Sequence, residues 1–247
     1  MNVIWHEKLT STNDKALKDL QSLDNLSILA TFCQTAGRGQ QGNKWCSQAG
    51  ENLLFSILLK EFDCFGLSPL PASRQFLISR AAALSVVSFL EKWGLNARIK
   101  WPNDIYVGDR KIAGILIENG LQGQSLVRSI IGIGINLGQR DFPTELPNPT
   151  SVSLLTGMHF TREDLQVELS RFGDLFEKRL QTEASTLKEE YESKLYRKGL
   201  WAPYRNSKTG ETFEACFLGT KESGEALMET KDGQIEEFFF KEIEFVI

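Results

Sequence analysis

Three apolar runs, residues 52–60, 111–118 and 125–137, limit what this chain can become. None approaches the ~20 apolar residues of a membrane span. Their length and Ile/Leu-rich texture, bounded by polar and turn residues, read as strands rather than helices. With helix-length periodic segments elsewhere in the chain, the expectation is an α+β fold, a mixed β-sheet flanked by helices. The second run contains Gly114 and the third Gly132 and Gly134. A glycine inside a strand points to the close approach of a ligand or of another backbone.

The remaining elements fit around such a sheet. Residues 3–9 and 27–34 predict strands, as do 97–101, stopped by Pro102, and 105–107 with 111–118 form a hairpin about Gly108-Asp109. The charged groups of that turn are expected to be solvated. Ser11-Thr12-Asn13 offers N-cap chemistry to a helix carrying Ala16, Leu17, Leu20 and Leu23 at helical spacing. Longer helices are predicted over 73–93, with Gly94 as the C′ residue; over 161–183, with Thr161 and Asp164 in a capping arrangement; and over 185–198, closed by Gly199. Residues 35–50 read as a glycine-rich loop, and 138–160, rich in Pro and Thr, show little regular pattern. Past Gly199 the texture changes to short alternating runs broken at Lys208-Thr209-Gly210, Ser223-Gly224 and Asp232-Gly233, the signature of a small antiparallel barrel. The expected division is therefore 1–199 and 200–247.

Composition excludes several kinds of chemistry. With a net charge of −4 over 247 residues, the chain lacks the basic face of a non-specific nucleic-acid binder, although a few local cations suffice for a small anion. The N-terminus shows no signal-peptide pattern. Four cysteines without CxxC or metal spacing suggest reduced thiols in a cytoplasm. Two histidines, His6 and His159, leave little scope for a Ser-His-Asp triad or a multi-histidine metal site. Charge chemistry must fall on Lys, Arg, Asp and Glu.

Two segments carry such chemistry. Gly37-Arg38-Gly39-Gln40-Gln41-Gly42 matches G-x-G-x-x-G in letters only, because a dinucleotide fingerprint opens a helix and this stretch runs on as loop toward another strand. A P-loop fails as well, since Asn43-Lys44-Trp45 replaces the required Lys-Ser/Thr. What remains is a glycine-flanked cation, Arg38, able to pair with a phosphate, and Trp45, able to stack on a flat heterocycle. In the second segment, Lys100-Trp101-Pro102-Asn103-Asp104 ends a strand and Asp109-Arg110-Lys111 follows. Lysines beside carboxylates at strand ends suit charge stabilisation at a phosphoryl centre, with a carboxylate on Mg2+ or orienting a lysine.

Taken in order, Ser11-Thr12-Asn13, Gln34-Thr35-Ala36-Gly37-Arg38-Gly39, Lys100-Trp101-Pro102-Asn103-Asp104, Arg110-Lys111-Ile112-Ala113-Gly114-Ile115 and Gly132-Ile133-Gly134-Ile135-Asn136 resemble the biotin protein ligases (biotin–[acetyl-CoA-carboxylase] ligases). The resemblance implies a class II synthetase-like catalytic domain with a C-terminal SH3-like barrel. It also implies a two-step reaction: biotin and MgATP give biotinyl-5′-adenylate, and a lysine of a biotin carboxyl carrier protein or domain then takes the biotinyl group. By the same resemblance Ser11, Thr12, Asn13, Gln34, Gly37, Arg38, Gly39, Gln40, Lys111 and Gly114 surround biotin. Lys111 and Arg38 are the catalytic pair. Trp45, Lys100, Asn103 and Asn136 face the adenylate, and Asp104 is a candidate for Mg2+ or for orienting a lysine.

The chain departs from the family pattern at Gln40, where many relatives carry arginine, and at Gly138, where they often carry asparagine. Its first motif begins at residue 11, so no DNA-binding domain and no specific DNA partner are expected, nor any membrane partner. An exposed sheet edge could pair two copies as a homodimer. A lipoate ligase of the same superfamily and a non-catalytic biotin-binding module are the competing readings.

Overall fold

A computed structural model of the chain describes residues 1–66 and 69–247. Strand β1 (Val3–His6) leads into α1 (Thr12–Lys18), whose N-cap Ser11 accepts from Asp14 N–H. Parallel β2 (Ile28–Thr31) returns beside β1, and β3 (Leu53–Leu59) follows antiparallel. A two-residue strand, β4 (Leu70–Pro71), precedes α2 (Phe76–Glu91). Then come β5 (Ala97–Lys100), β6 (Asp104–Val107), β7 (Arg110–Gln122) and β8 (Ser125–Ile135). Together they form an eight-stranded sheet of order β1-β2-β3-β8-β7-β6-β5, with β4 attached to β8. The three apolar runs are its centre, β3-β8-β7, and β3 is buried along its whole length.

One face of the sheet is sealed by α2 and by α4 (Arg162–Leu180), with Phe55, Phe89 and Phe172 meeting edge to face. Thr161 and Asp164 form the expected capping box of α4. On the opposite face α1 seats Ala16 against Leu29, Leu58 and Ile130. Helix α1 ends at Lys18, short of the predicted pattern, and Leu20 and Leu23 continue the same packing from the following turns. The stretch 138–160, expected to be irregular, contains a short helix, α3 (Val152–Thr156), capped by Ser151 and ended by Gly157 in a left-handed conformation. Its single turn is too short to leave a helical repeat in the sequence.

After α5 (Ala184–Ser193), strands β9 (Trp201–Asn206), β10 (Thr212–Thr220), β11 (Ala226–Thr230), β12 (Ile235–Phe238) and β13 (Ile243–Phe245) form an antiparallel sheet of order β12-β11-β10-β9-β13. The expected turn residues lie between these strands. This is the α+β architecture with a separate SH3-like sheet that the sequence predicted. The sheets are pinned together by α2. Arg80, fully buried, donates to Glu222 and to the carbonyl of Lys221, and Trp101 Nε1 donates to Gly224 O at 2.9 Å.

Candidate functional site

The site lies on the α1 face of the large sheet, and strand register builds its floor. Ser56 of β3 pairs with Gly132 of β8, which pairs with Leu116 of β7; one row along, Leu54, Gly134, Gly114 and Asp104 of β6 stand side by side. Each glycine makes room for one neighbour. A Cβ at Gly132 would lie 2.3 Å from Asn13 Oδ1, and one at Gly134 would lie 2.4 Å from Cε2 of the Trp45 indole. The ring spans the paired glycines, since a Cβ at Gly114 would meet its Cζ3 at 2.9 Å.

Above this floor is a cavity of about 620 Å³, a size typical of small-ligand sites. Its α1 end is a closed polar network. Gln34 Oε1 accepts from Thr12 N–H at 2.8 Å and from Thr12 Oγ1 at 3.2 Å. Ser56, fully buried, reaches Thr12 Oγ1 at 2.7 Å and Asn13 Oδ1 at 2.6 Å. Sequence reasoning missed Ser56, a lone polar residue in a strongly apolar strand, which was the available signal. Among the described residues Gln34 Nε2 has no hydrogen-bond partner, which leaves a donor for a ligand at this end.

The other end is basic. Lys111 Nζ lies 2.6 Å from Asp104 Oδ1 and, like Lys111 Cε, packs against Gly114. Lys111 and Gly114 are three residues apart in a strand and would ordinarily face opposite ways. A β-bulge reverses this: Ile105 pairs with Ala113 and Tyr106 with Lys111, so Ile112 is the extra residue and Lys111 turns to the cavity. The segment after β8 then clamps it. Lys111 N–H donates to Asn148 O and Thr150 N–H to Lys111 O, both at 2.8 Å. Asp109 is exposed, as expected of the turn, and its side chain also accepts from Tyr196 Oη, while its carbonyl accepts from Asn148 Nδ2 at 2.7 Å. Lys100 is held between the Tyr106 and Phe245 rings, at 5.2 and 5.1 Å. Burial lowers its pKa, Asp104 opposes that shift, and Lys111 adds to it. Burial likewise pushes Tyr106 up to about 12.

The loop over the cavity is a small hairpin. Gly39 N–H donates to Asn43 O and Trp45 N–H to Gly37 O, around a turn at Gln40–Gly42 in which Gly42 is left-handed. Arg38 does not point a free cation into the cavity. Its Nη1 and Nη2 donate to Glu118 at 3.1 and 2.8 Å, and Nη2 to Asp14 at 2.7 Å. Burial lowers the Arg38 pKa, but the hydrogen bonds and charges of Glu118 and Asp14 outweigh it and raise the value overall.

The structure therefore gathers Ser11, Thr12, Asn13, Gln34, Arg38, Gly39, Gln40, Trp45, Lys100, Asn103, Asp104, Lys111 and Gly114 around one cavity. Three expectations change. Gly37 is buried outside the wall; its missing Cβ admits Trp45 O, which would otherwise lie 2.6 Å away. Asn136 is also behind the wall, 4% exposed, its Nδ2 donating to Thr150 O, because the strand beyond β8 is covered by the 150–153 segment. Asn103 lines the cavity, yet its side-chain amide is spent on Ile115 O. Asp104 is engaged by Lys111, and no group of three His, Cys, Asp or Glu side chains among the described residues could hold a metal ion. The donor set thus fits lysine orientation and does not make a magnesium cage. Asn148, Tyr106, Phe245 and Lys44 also line the cavity and had no sequence signal beyond their residue types.

Comparison with known proteins agrees with this geometry. The family model described as Biotin/lipoate A/B protein ligase family matches residues 5–136. The Bifunctional ligase/repressor BirA of Bacillus subtilis is 31% identical over 98% of this chain and 74% of its own length. A biotin–protein ligase of Homo sapiens is 39% identical over 55% of this chain and 19% of its own. Among solved structures, the biotin protein ligase of Aquifex aeolicus in complex with biotin and ATP superposes with a TM-score of 0.76 at 29% identity, covering 99% of this chain and 98% of that one. With that match spanning both sheets and the family model spanning the whole lysine-bearing floor of the cavity, the chain belongs to the biotin/lipoate A/B protein ligase family.

Proposed function

We propose that the cavity binds biotin at its α1 end and ATP at its Lys100–Trp45 end, joins them as biotinyl-5′-adenylate, and delivers the biotinyl group to a lysine of a biotin carboxyl carrier protein or domain. The supporting observation is Lys111, ion-paired with Asp104 at 2.6 Å and seated over Gly114 at the basic end of the cavity. A urea-like ring presents both acceptors and donors, matching Ser11, Thr12 and Gln34. In the first step a biotin carboxylate oxygen attacks the α-phosphorus and pyrophosphate leaves. Lys111 lies where the carboxylate and α-phosphate charges converge, so it lowers their repulsion and holds them in line. In the second step the carrier's neutral lysine amine attacks the mixed-anhydride carbonyl. AMP leaves with the bonding pair and the amine's proton passes to solvent. Neither step needs a nucleophile from this chain. Mg2+ is assigned to the nucleotide's phosphates, as is usual for an ion that keeps few protein ligands. Residues 1–199 form the catalytic unit in this reading and 200–247 its barrel, with the reaction in the cytoplasm and no role for DNA or a membrane.

The test is labelling of a purified carrier domain with biotin and MgATP, beside ATP–pyrophosphate exchange with biotin or lipoate supplied separately. Biotin-dependent labelling and exchange are expected. Exchange with lipoate alone would overturn the assignment, and tight biotin binding without exchange would make the chain a non-catalytic module.

A further inference from the structure

Glu118 does not line the cavity, yet it holds two parts of it. It belongs to β7 two residues beyond Leu116, on the face that carries Gly114, and its register partner is Ile130. Glu118 Oε2 accepts from Asn13 Nδ2 at 2.6 Å and from Arg38 Nη2 at 2.8 Å, while Oε1 accepts from Arg38 Nη1 at 3.1 Å. One carboxylate therefore receives the only lid cation engaged with the floor among the described residues and also an amide of α1. Asn13 is fixed at its other atoms too: Oδ1 takes Ser56, and Nδ2 also reaches Leu116 O at 3.3 Å. Asp14 adds a second contact to Arg38 from the helix alone.

We propose that Glu118 is a positioning residue: it latches the lid through Arg38 and, with the same carboxylate, sets the orientation of the Asn13 amide, so that lid closure and recognition at the ring end of the acid are established together. The part concerning the acid rests on the proposed function; the latch does not. A fork-like guanidinium–carboxylate contact has defined geometry, but both partners are about two-fifths exposed, and solvent screening keeps such a pair modest. The latch is therefore strong enough to bias the lid and weak enough to release it.

Glu118→Gln separates the two duties, because a glutamine oxygen can still accept from Asn13 while the charge facing Arg38 is lost. Two readouts are needed. In the absence of any ligand, tryptic cleavage after Lys44 in the lid should quicken about fivefold in Glu118→Gln, with an unchanged melting temperature; Asp14→Asn should do less. In biotin-dependent pyrophosphate exchange, the KM for biotin should rise about fivefold with kcat nearly unchanged, and Glu118→Ala, which also frees Asn13, should raise it further. Unchanged cleavage and unchanged KM would overturn the proposal. A parallel fall of kcat and melting temperature would also overturn it, by reducing Glu118 to a structural role. Absence of exchange in the unmodified protein would sink the biotin assignment while the cleavage comparison still judged the latch.

Discussion

Substituting alanine for Gly134 should damage nucleotide binding while leaving the backbone undisturbed. Gly134 is not in a left-handed conformation, so its main chain accepts a Cβ. The space above it does not. The added carbon would sit 2.4 Å from Trp45 Cε2 and 2.7 Å from Cζ2 and Nε1, where ordinary contact begins at 3.4 Å. The indole would have to retreat by about 1 Å, and a rigid bicyclic ring cannot bend to do so. Nor can its backbone slide, because Trp45 N–H is tied to Gly37 O at 2.9 Å and Trp45 O already touches the space that a Cβ at Gly37 would fill. Stacking of a base on an aromatic side chain contributes ~1–3 kcal/mol. At ~1.36 kcal/mol per decade, losing it raises the KM for ATP about five- to 150-fold. The assay is pyrophosphate exchange at saturating biotin, with circular dichroism to verify the fold. Trp45→Ala should give a loss of similar size, and Gly134→Ala added to it should cost nothing more, since the clash has no ring left to displace. Additive losses, or an ATP KM unmoved by Gly134→Ala, would refute the account of Trp45 as the nucleotide platform.

Lys111→Ala should lower adenylation about 100-fold, the loss expected for one preorganised cation at ~3 kcal/mol, in a protein of native circular dichroism; normal turnover would contradict its role. Gln40 lines both the main cavity and a neighbouring pocket of about 250 Å³, so Gln40→Arg should add a cation to the lid and slow release of activated biotin several-fold, measured as adenylate appearing free in solution. Burial raises the pKa of all four tyrosines, Tyr106, Tyr196 and Tyr204 to about 12 and Tyr191 further. Unfolded tyrosine ionises near ~10, so between there and pH 12 the unfolded chain releases protons that the folded one keeps, and stability falls as pH rises through that window; tyrosinate absorbance in the folded protein near pH 10 would contradict this. Glu222→Ala should cost about 2 kcal/mol in chemical denaturation, because the buried Arg80 loses a charged hydrogen-bond partner and keeps only the Lys221 carbonyl; an unchanged denaturation midpoint would refute the pinning role of this contact.

Much of the large sheet was legible because its central strands are apolar on both faces and its helices are long enough to repeat. The hairpin at Gly108-Asp109, the capping box of α4 and the turns of the small sheet follow from local chemistry. Lys111 was legible as a residue type at a strand end, but its direction was not. Strict alternation would have sent it toward α2, and only the extra residue at Ile112, a matter of pairing between β6 and β7, turns it to the cavity. Asn136 was misplaced for the related reason that sequence order does not reveal what folds back over a strand, here Thr150 and Val152. Arg38 was legible as a glycine-flanked cation, while its engagement with Glu118, eighty residues away, has no local signature. Glycine, by contrast, was informative: Gly114, Gly132 and Gly134 all mark places where a side chain crosses the sheet.

The change of texture at residue 200 marks a change of strand architecture, but not a gap in the packing. Tyr204, Phe217, Met228 and Phe238 belong to the same hydrophobic cluster as Phe76, Trp101 and Tyr191. A Cβ at Gly224 would come within 2.7 Å of Phe76, so the turn between β10 and β11 lies directly on α2. The contact continues into the site, because Trp101, tied to Gly224, precedes the Pro102-Asn103-Asp104 turn that holds Lys111, and Phe245 of β13 covers Lys100. Burial makes the charge on Lys100 costly in the ligand-free protein. An anion bound beside it would offset that cost only while the Tyr106 and Phe245 rings remain in place. In the proposed reaction, nucleotide binding and docking of the small sheet therefore favour the same packed state, and each strengthens the other through one lysine.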